Sequence, residues 1–215
     1  MITHKPFYLL RHGLSEANKA EITAGGMIDS PLAAEGHAQA EIVAEILRKE
    51  NLDISRIFHS PMQRAHKTAS LANMHRAIDM QEVATLHEIM LGDWEGKPWK
   101  DIEPFFVDRI APPNGEDEQQ HVLRVRTTID SILEQDLSAP PLIVAHGGTF
   151  HALGHMYSYA MQRINNAHLH FFQPWPENKN MPWKITVYDL IDGEVVTSTA
   201  PSCPTLCDLE RVERP

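Results

Sequence analysis

Residues 8–19 read YLLRHGLSEANK. Apolar side chains run to Leu10, and the chain then sets Arg11, His12 and Gly13 in succession. A buried strand that ends on two cationic-type side chains calls for something anionic at its tip. A second stretch repeats the pattern: LIVAHGG, residues 142–148, runs apolar to Ala145 and then gives His146, Gly147 and Gly148. In α/β sheets, ligands sit beyond the carboxyl ends of the strands. If these two strands are neighbours, His12 and His146 face each other across one pocket. The glycines after each histidine let backbone approach a bound group closely.

Outward from these two strands, the pattern alternates. Residues 31–50 follow a Ser30-Pro31 start signal and place Ile42, Val43, Ile46 and Leu47 at helical spacing. Residues 54–60, ISRIFHS, read as a short strand and 61–74 as a helix, with a further strand at 78–83. The stretch 90–115 breaks the rhythm with Pro, Gly and aromatic residues and reads as a lid or cap with one short helix. Residues 116–135 put Val122, Val125, Ile129, Ile132 and Leu133 on one helical face, and 149–162 continue as a helix. AHLHFFQ (167–173) and WKITVYDL (183–190) read as strands, and Asp192-Gly193 turns the second into EVVTS as a hairpin. Strands alternating with helices predict an α/β fold with helices on both faces of the sheet, a three-layer α/β/α sandwich. The expected organisation is one domain over residues 1–200 with a small cap inserted near 90–120, followed by an irregular tail from 201 to 215.

The third strand end adds a charge. In FHSPMQRAHKTA, Arg64 falls on the first turns of a helix. Arg11 and Arg64 are planar forks suited to phosphate oxygens. Two histidines and two arginines around one spot repel one another unless an anion neutralises them, so a phosphoryl group is the expected ligand. The helix near Thr149 adds N-terminal amides that favour an anion. With guanidinium groups on the oxygens, a neutral imidazole can attack phosphorus. A carboxylic acid must then protonate the leaving oxygen, and Glu88 stands at the mouth of the cap segment. Glu82, Asp93 and Glu95 are its nearby competitors.

Composition sets the outer limits. The 215 residues are 42% hydrophobic, enough for a sizeable core, and the formal net charge is −10. That charge disfavours nucleic acid and anionic membranes as partners. No run of eighteen apolar residues and no signal peptide is evident, so the cytoplasm is the expected location. Cys203 and Cys207 lie in a Pro-rich tail and read as free thiols. There is no H-E-x-x-H and no Gly-x4-Gly-Lys-Ser/Thr loop. His151 and His155 sit four apart on a helix but without an acidic or Cys ligand beside them, and His168 and His170 share a strand face in the same way. No metal and no cofactor are expected.

These residues resemble the histidine phosphatase superfamily, the phosphoglycerate mutase-like fold. YLLRHGLSEANK is similar to its Arg-His-Gly signature, with Ser15 and Asn18 at the expected offsets. DSPLAAEGHAQA (29–40) resembles its Asp-x-x-Leu-x-x-x-Gly-x-x-Gln-Ala segment, and SPMQRAHKTA (60–69) its Ser-x-x-x-Arg-Ala-x-x-Thr-Ala segment. LHEIMLGDWEG (86–96) resembles its Leu-x-Glu-x-x-x-Gly-x-Trp-Glu-Gly segment. NGEDEQQHVLRV (114–125) is similar to the Gly-Glu run that opens its long helix, and VAHGGTFHAL (144–153) to its second histidine segment. The resemblance covers roughly residues 6–190. It implies that His12 is a nucleophile forming phosphohistidine, that Arg11, Arg64 and His146 bind phosphoryl oxygens, and that Glu88 is the proton donor. It further implies that Ser15, Asn18 and Gly147 contact the substrate, although Ser15 and Asn18 serve equally well as a helix cap. Leu14 departs from the Glu or Gln of many relatives and makes the rim less polar.

The activity implied is hydrolysis of a small phosphorylated metabolite. A mutase and a non-catalytic phospho-ligand module are the alternatives. The glycolytic mutases of this family share an Arg-His-Tyr-Gly run after the acid and a His-Gly-Asn at the second histidine, where this chain reads EIMLGDWEG and HGGTF. Trp94, Trp99, Phe105 and Phe106 stand equally for a substrate-facing lid and for a small core that holds the cap down.

Overall fold

A computed structural model of the chain describes residues 2–157, 164–178 and 181–199. One sheet is built from β1 (Phe7–Arg11), β2 (Ile57–His59), β3 (Met80–Glu82), β4 (Leu142–Ala145), β5 (Leu169–Pro174), β6 (Trp183–Ile191) and β7 (Glu194–Thr199). Its order is β3-β2-β4-β1-β5-β6-β7. The four strands from β3 to β1 pair in parallel, and β5, β6 and β7 add antiparallel to β1. The helices are α1 (Glu16–Lys19), α2 (Ala34–Lys49), α3 (Gln63–Ala72), α4 (Trp99–Val107), α5 (Glu118–Leu133) and α6 (Gly147–Met156).

The three layers follow from the two-residue period of the strands. In β1, Phe7 and Leu9 join an apolar cluster with Val125, Ile129 and Ile132 of α5 and Phe150 and Leu153 of α6. Tyr8 and Leu10 join the opposite cluster with Val43, Ile46 and Leu47 of α2 and Ala65 and Ala69 of α3. All four residues of β4 are fully buried, Leu142 and Val144 toward one cluster, Ile143 and Ala145 toward the other. Each buried Leu, Ile, Val or Phe side chain among these contributes about 1.5–3 kcal/mol by leaving water.

The connection after β1 leaves over the α2 face, and the one after β4 leaves over the α6 face. That reversal opens a crevice at the carboxyl ends of β1 and β4. The register runs from Tyr8 opposite Leu142 to Arg11 opposite Ala145. His12 and His146, the next residue on each strand, therefore stand level.

Several expected boundaries shift. Helix α2 starts at Ala34 rather than at the Ser30-Pro31 signal, and its N-cap Ala33 makes no side-chain bond. Ser30 is spent elsewhere: its hydroxyl accepts from Ala17 N at 2.9 Å, and Pro31 O accepts from Glu16 N at 2.9 Å. Helix α6 starts at Gly147, directly after His146, two residues before Thr149. The stretch 90–115 does carry one short helix, α4, after a 3-10 turn at Gly92–Trp94. Trp94 is buried with Leu91 and Ile102 in a small separate core and stacks on Phe105, while Trp99, Phe105 and Phe106 stay partly exposed. Residues 158–162 of the helix expected over 149–162, and the tail with Cys203 and Cys207, lie outside the described residues.

Candidate active site

His12 is fixed through its backbone before its side chain acts. Its N–H donates to Ala145 O at 3.0 Å, and its carbonyl accepts from Ala167 N and Asn166 Nδ2, both at 3.1 Å. The imidazole is buried, and its Nδ1 lies 2.7 Å from Gly13 O. A carbonyl can only accept, so Nδ1 carries the hydrogen and Nε2 keeps its lone pair. Burial, then the Arg64 and Arg11 guanidiniums, hold the His12 pKa well below the usual histidine range; the Gly13 bond opposes them. The ring centroid of His146 is 5.1 Å away. His146 is fully buried, its Nε2 lies 2.7 Å from Ser60 Oγ, and its Nδ1 has no partner among the described residues. Burial first, then Arg64 and His12, likewise push its pKa well down. Both imidazoles are neutral at neutral pH.

The two guanidiniums supply the positive charge. Arg11 ends β1, donates NH1 to Ile164 O at 2.6 Å, and keeps a buried Nε with no partner among the described residues. A Cβ at Gly147 would stand 3.6 Å from that Nε, which places the start of α6 against Arg11. Arg64 is 1% exposed. Its NH1 donates to Ile28 O at 3.2 Å and its NH2 to Gly25 O at 3.0 Å and Ala24 O at 3.4 Å. Of the five N–H donors of a guanidinium, these contacts occupy at most three. Burial lowers the pKa of both arginines, and Glu88 is the largest opposing influence on each.

Glu88 stands at the α6 side of this group. Its Oε1 accepts from Ile89 N at 2.8 Å and its Oε2 from Gly148 N at 3.2 Å. The competing acids are engaged elsewhere: Glu95 accepts from Met27 N, Ile28 N and Leu91 N, Asp93 accepts from Asn114, and Glu82 is exposed on β3. Ser15 and Asn18 form a reciprocal capping box on α1. Among the described residues, no group of three or more His, Cys, Asp or Glu is arranged to hold a metal. His155 pairs with Glu118 at 2.9 Å and His168 with Asp189 at 3.4 Å.

Two neutral imidazoles and two guanidiniums thus meet at the ends of β1, β4 and α3, with one carboxylate beside them. A family model described as histidine phosphatase superfamily (branch 1) matches residues 7–176. The chain belongs to that superfamily. Among curated relatives, the adenosylcobalamin/alpha-ribazole phosphatase of Salmonella typhimurium is 30% identical over 156 residues, 68% of this chain and 76% of that one. A protein of Citrobacter koseri named "Probable phosphoglycerate mutase GpmB" is 34% identical over 152 residues, 65% of this chain and 68% of its own. Among solved structures, a mycobacterial glucosyl-3-phosphoglycerate phosphatase in complex with VO3 superposes with a TM-score of 0.71. It shares 24% identity and covers 84% of this chain and 97% of that one, a likeness of fold.

The motif positions of the histidine phosphatase pattern acquire physical reasons here. A Cβ at Gly13 would stand 2.4 Å from Gly36 O, and one at Gly36 would stand 2.1 Å from Leu14 O, so α2 packs backbone to backbone on the loop that follows the nucleophile candidate. Gln39 Oε1 accepts from Leu14 N at 2.9 Å. Thr68 Oγ1 accepts from Gly13 N at 3.0 Å and donates to Arg64 O at 2.7 Å, which ties α3 to the same loop.

Sequence reasoning missed a ring of residues around Glu88. Arg124 forks onto Glu116 at 2.7 and 2.6 Å and donates to the carbonyls of Thr85, His87 and Glu88. Glu116 in turn accepts from Met90 N at 2.9 Å. Arg124 NH2 donates to His121 Nδ1 at 3.0 Å, which leaves the His121 hydrogen on Nε2 for Gly148 O at 3.1 Å. Burial is the main cause that lowers the His121 pKa. The ring closes through the Gly148 N–H on Glu88. The i, i+3 spacing of His121 and Arg124 on α5 was the available signal, but only the fold shows which loop they hold.

Proposed function

We propose that the chain hydrolyses small phosphomonoesters through a phosphohistidine on His12. The observation that carries this is the His12 tautomer: a hydrogen held on Nδ1 by Gly13 O leaves an unprotonated Nε2 beside two buried guanidiniums. In the first half-reaction Nε2 attacks phosphorus and the ester P–O bond breaks. Glu88, in its acid form, gives its proton to the leaving oxygen. Arg11, Arg64 and His146 Nδ1 carry the charge that builds on the phosphoryl oxygens. In the second half, water attacks phosphorus, Glu88 takes the water's proton, and the N–P bond returns its electron pair to Nε2. Gly147 contributes the N–H at the start of α6.

Ser15 and Asn18 act through the loop they cap, a role their capping box favours over direct contact with substrate. The Salmonella relative's name points to a small phosphorylated metabolite as the substrate class. A mutase shares the same phosphohistidine, and the Citrobacter relative's name keeps that reading in view. The absence of the Arg-His-Tyr-Gly and His-Gly-Asn runs favours hydrolysis.

The test follows phosphate release and phosphoglycerate interconversion on one exhaustively chelated preparation, with bisphosphoglycerate primer present. Phosphate release from small phosphomonoesters with negligible isomerisation is expected. Primer-dependent isomerisation much faster than phosphate release would overturn hydrolysis. Loss of all activity on chelation, restored by a divalent ion, would overturn the metal-free chemistry.

A further inference from the structure

We propose that Ser60 is the positioning residue that sets the tautomer of His146, so that His146 Nδ1 carries the hydrogen offered to a phosphoryl oxygen. This rests on the phosphoryl-site reading above and adds a residue to it.

Ser60 and His146 are both fully buried, and Ser60 Oγ lies 2.7 Å from His146 Nε2. Ser60 is held at the tip of β2 by its own N–H, which donates to Val144 O at 3.0 Å. Its carbonyl lies 2.9 Å from His59 Nδ1, and its Oγ accepts from Met62 N at 3.2 Å. A hydroxyl has one hydrogen and two lone pairs. With one lone pair on Met62 N–H, two arrangements with a neutral His146 remain.

In the first, the Ser60 hydroxyl donates to the Nε2 lone pair. The imidazole hydrogen is then on Nδ1, the buried nitrogen that has no partner among the described residues. In the second, Nε2–H donates to Oγ. The hydroxyl hydrogen then has no acceptor among the described residues, and Nδ1 turns a lone pair toward any oxyanion. The second arrangement leaves a buried donor unsatisfied and sets two negative ends together. The first satisfies Ser60 completely and leaves a single N–H for the ligand; Arg11 Nε is a second buried donor without a partner among the described residues. The neutral state that this choice requires is the one favoured by burial and by Arg64.

The test is long-range 15N–1H correlation on protein labelled at histidine nitrogens, with and without inorganic phosphate, on wild type, Ser60→Ala and Ser60→Thr. Wild type is expected to show His146 as the Nδ1–H tautomer, and Ser60→Ala to move it toward Nε2–H. Ser60→Thr, which keeps the hydroxyl, is expected to restore Nδ1–H. In parallel, kcat/KM of Ser60→Ala should fall on the order of 10–100-fold, the scale seen on losing the group that orients a metal-binding histidine, and phosphate should bind more weakly. An Nε2–H tautomer in wild type, or an unchanged Nδ1–H population in Ser60→Ala, overturns the assignment. The tautomer is read without turnover. A wild type that binds no phosphate and releases none would therefore count against the phosphatase reading, while the nitrogen spectrum still decides the role of Ser60.

Discussion

Gly148→Ala isolates the placement of Glu88 from the stability of the fold. A Cβ added at Gly148 would stand 2.2 Å from Glu88 Oε1 and 3.0 Å from His121 Nε2. The Glu88 contact is more than ~1 Å inside ordinary van der Waals distance, so the carboxylate must swing away and give up the Gly148 N–H. A ~1 Å misplacement of a reacting group costs on the order of 10²-fold in rate. The helix itself should not suffer, because alanine is better than glycine in a helix by roughly 0.5–1 kcal/mol. Loss of one hydrogen bond, about 1 kcal/mol, offsets that gain. For a chain of this size the net change should move Tm by no more than about 4 °C. The assay pairs phosphate-release kinetics with thermal melts, using one aryl and one alkyl phosphomonoester. Proton donation matters more for the poorer alkyl leaving group, so the alkyl ester should lose about 100-fold in kcat and the aryl ester less. Near-native turnover of the alkyl ester would refute the placement of Glu88 over α6. A Tm collapse of more than ~10 °C would show that the close contact supports the fold rather than the acid.

Three further outcomes follow from the same geometry. Arg64→Ala should cost ~2–4 kcal/mol of transition-state stabilisation, the scale of an oxyanion donor, and Arg64→Lys should not restore it because an ammonium cannot fork; kcat/KM measures both. Arg124→Lys keeps the charge but loses the grip on three carbonyls of the Glu88 loop, so kcat should fall on the order of 10-fold with KM nearly unchanged, and a change in KM alone would contradict that role. His170 is buried with its pKa pushed down to about 3, first by burial and then by His168. It therefore binds a proton in the unfolded chain but not in the folded one, and its neutral form contributes stability that is complete above about pH 6.5 and is lost as pH falls toward its folded value. Urea unfolding of wild type and His170→Phe between about pH 6 and pH 4 should differ in slope by up to ~1.4 kcal/mol per pH unit.

Much of the site was legible because it sits on strand ends. An apolar run that stops at Arg-His-Gly or His-Gly-Gly marks both the strand and its tip, and the β1–β4 register then brings His12 and His146 together. Arg64 and Glu88 were legible from charge type and from the motifs that carry them. Ser60 and Glu116 stood at motif positions but without a role, and His121, Arg124 and Asn166 were not legible at all, because the work of all five depends on approaches between distant parts of the chain. Asn166 meets His12 across 154 positions and His121 meets Gly148 across 27, and no local period encodes either. The helix starts failed for a related reason. Ser30 reads as a cap in sequence but is drawn to Ala17 in α1, the short helix that follows the His12 loop.

The central claim is that His12 becomes phosphorylated. Rapid-quench labelling with a 32P-phosphomonoester, followed by peptide mapping, reads this directly. Acid-labile, base-stable label is expected on His12, formed and lost at rates consistent with turnover, with neither label nor turnover in His12→Ala. Label and turnover that persist in His12→Ala, or label on any other residue, would contradict it.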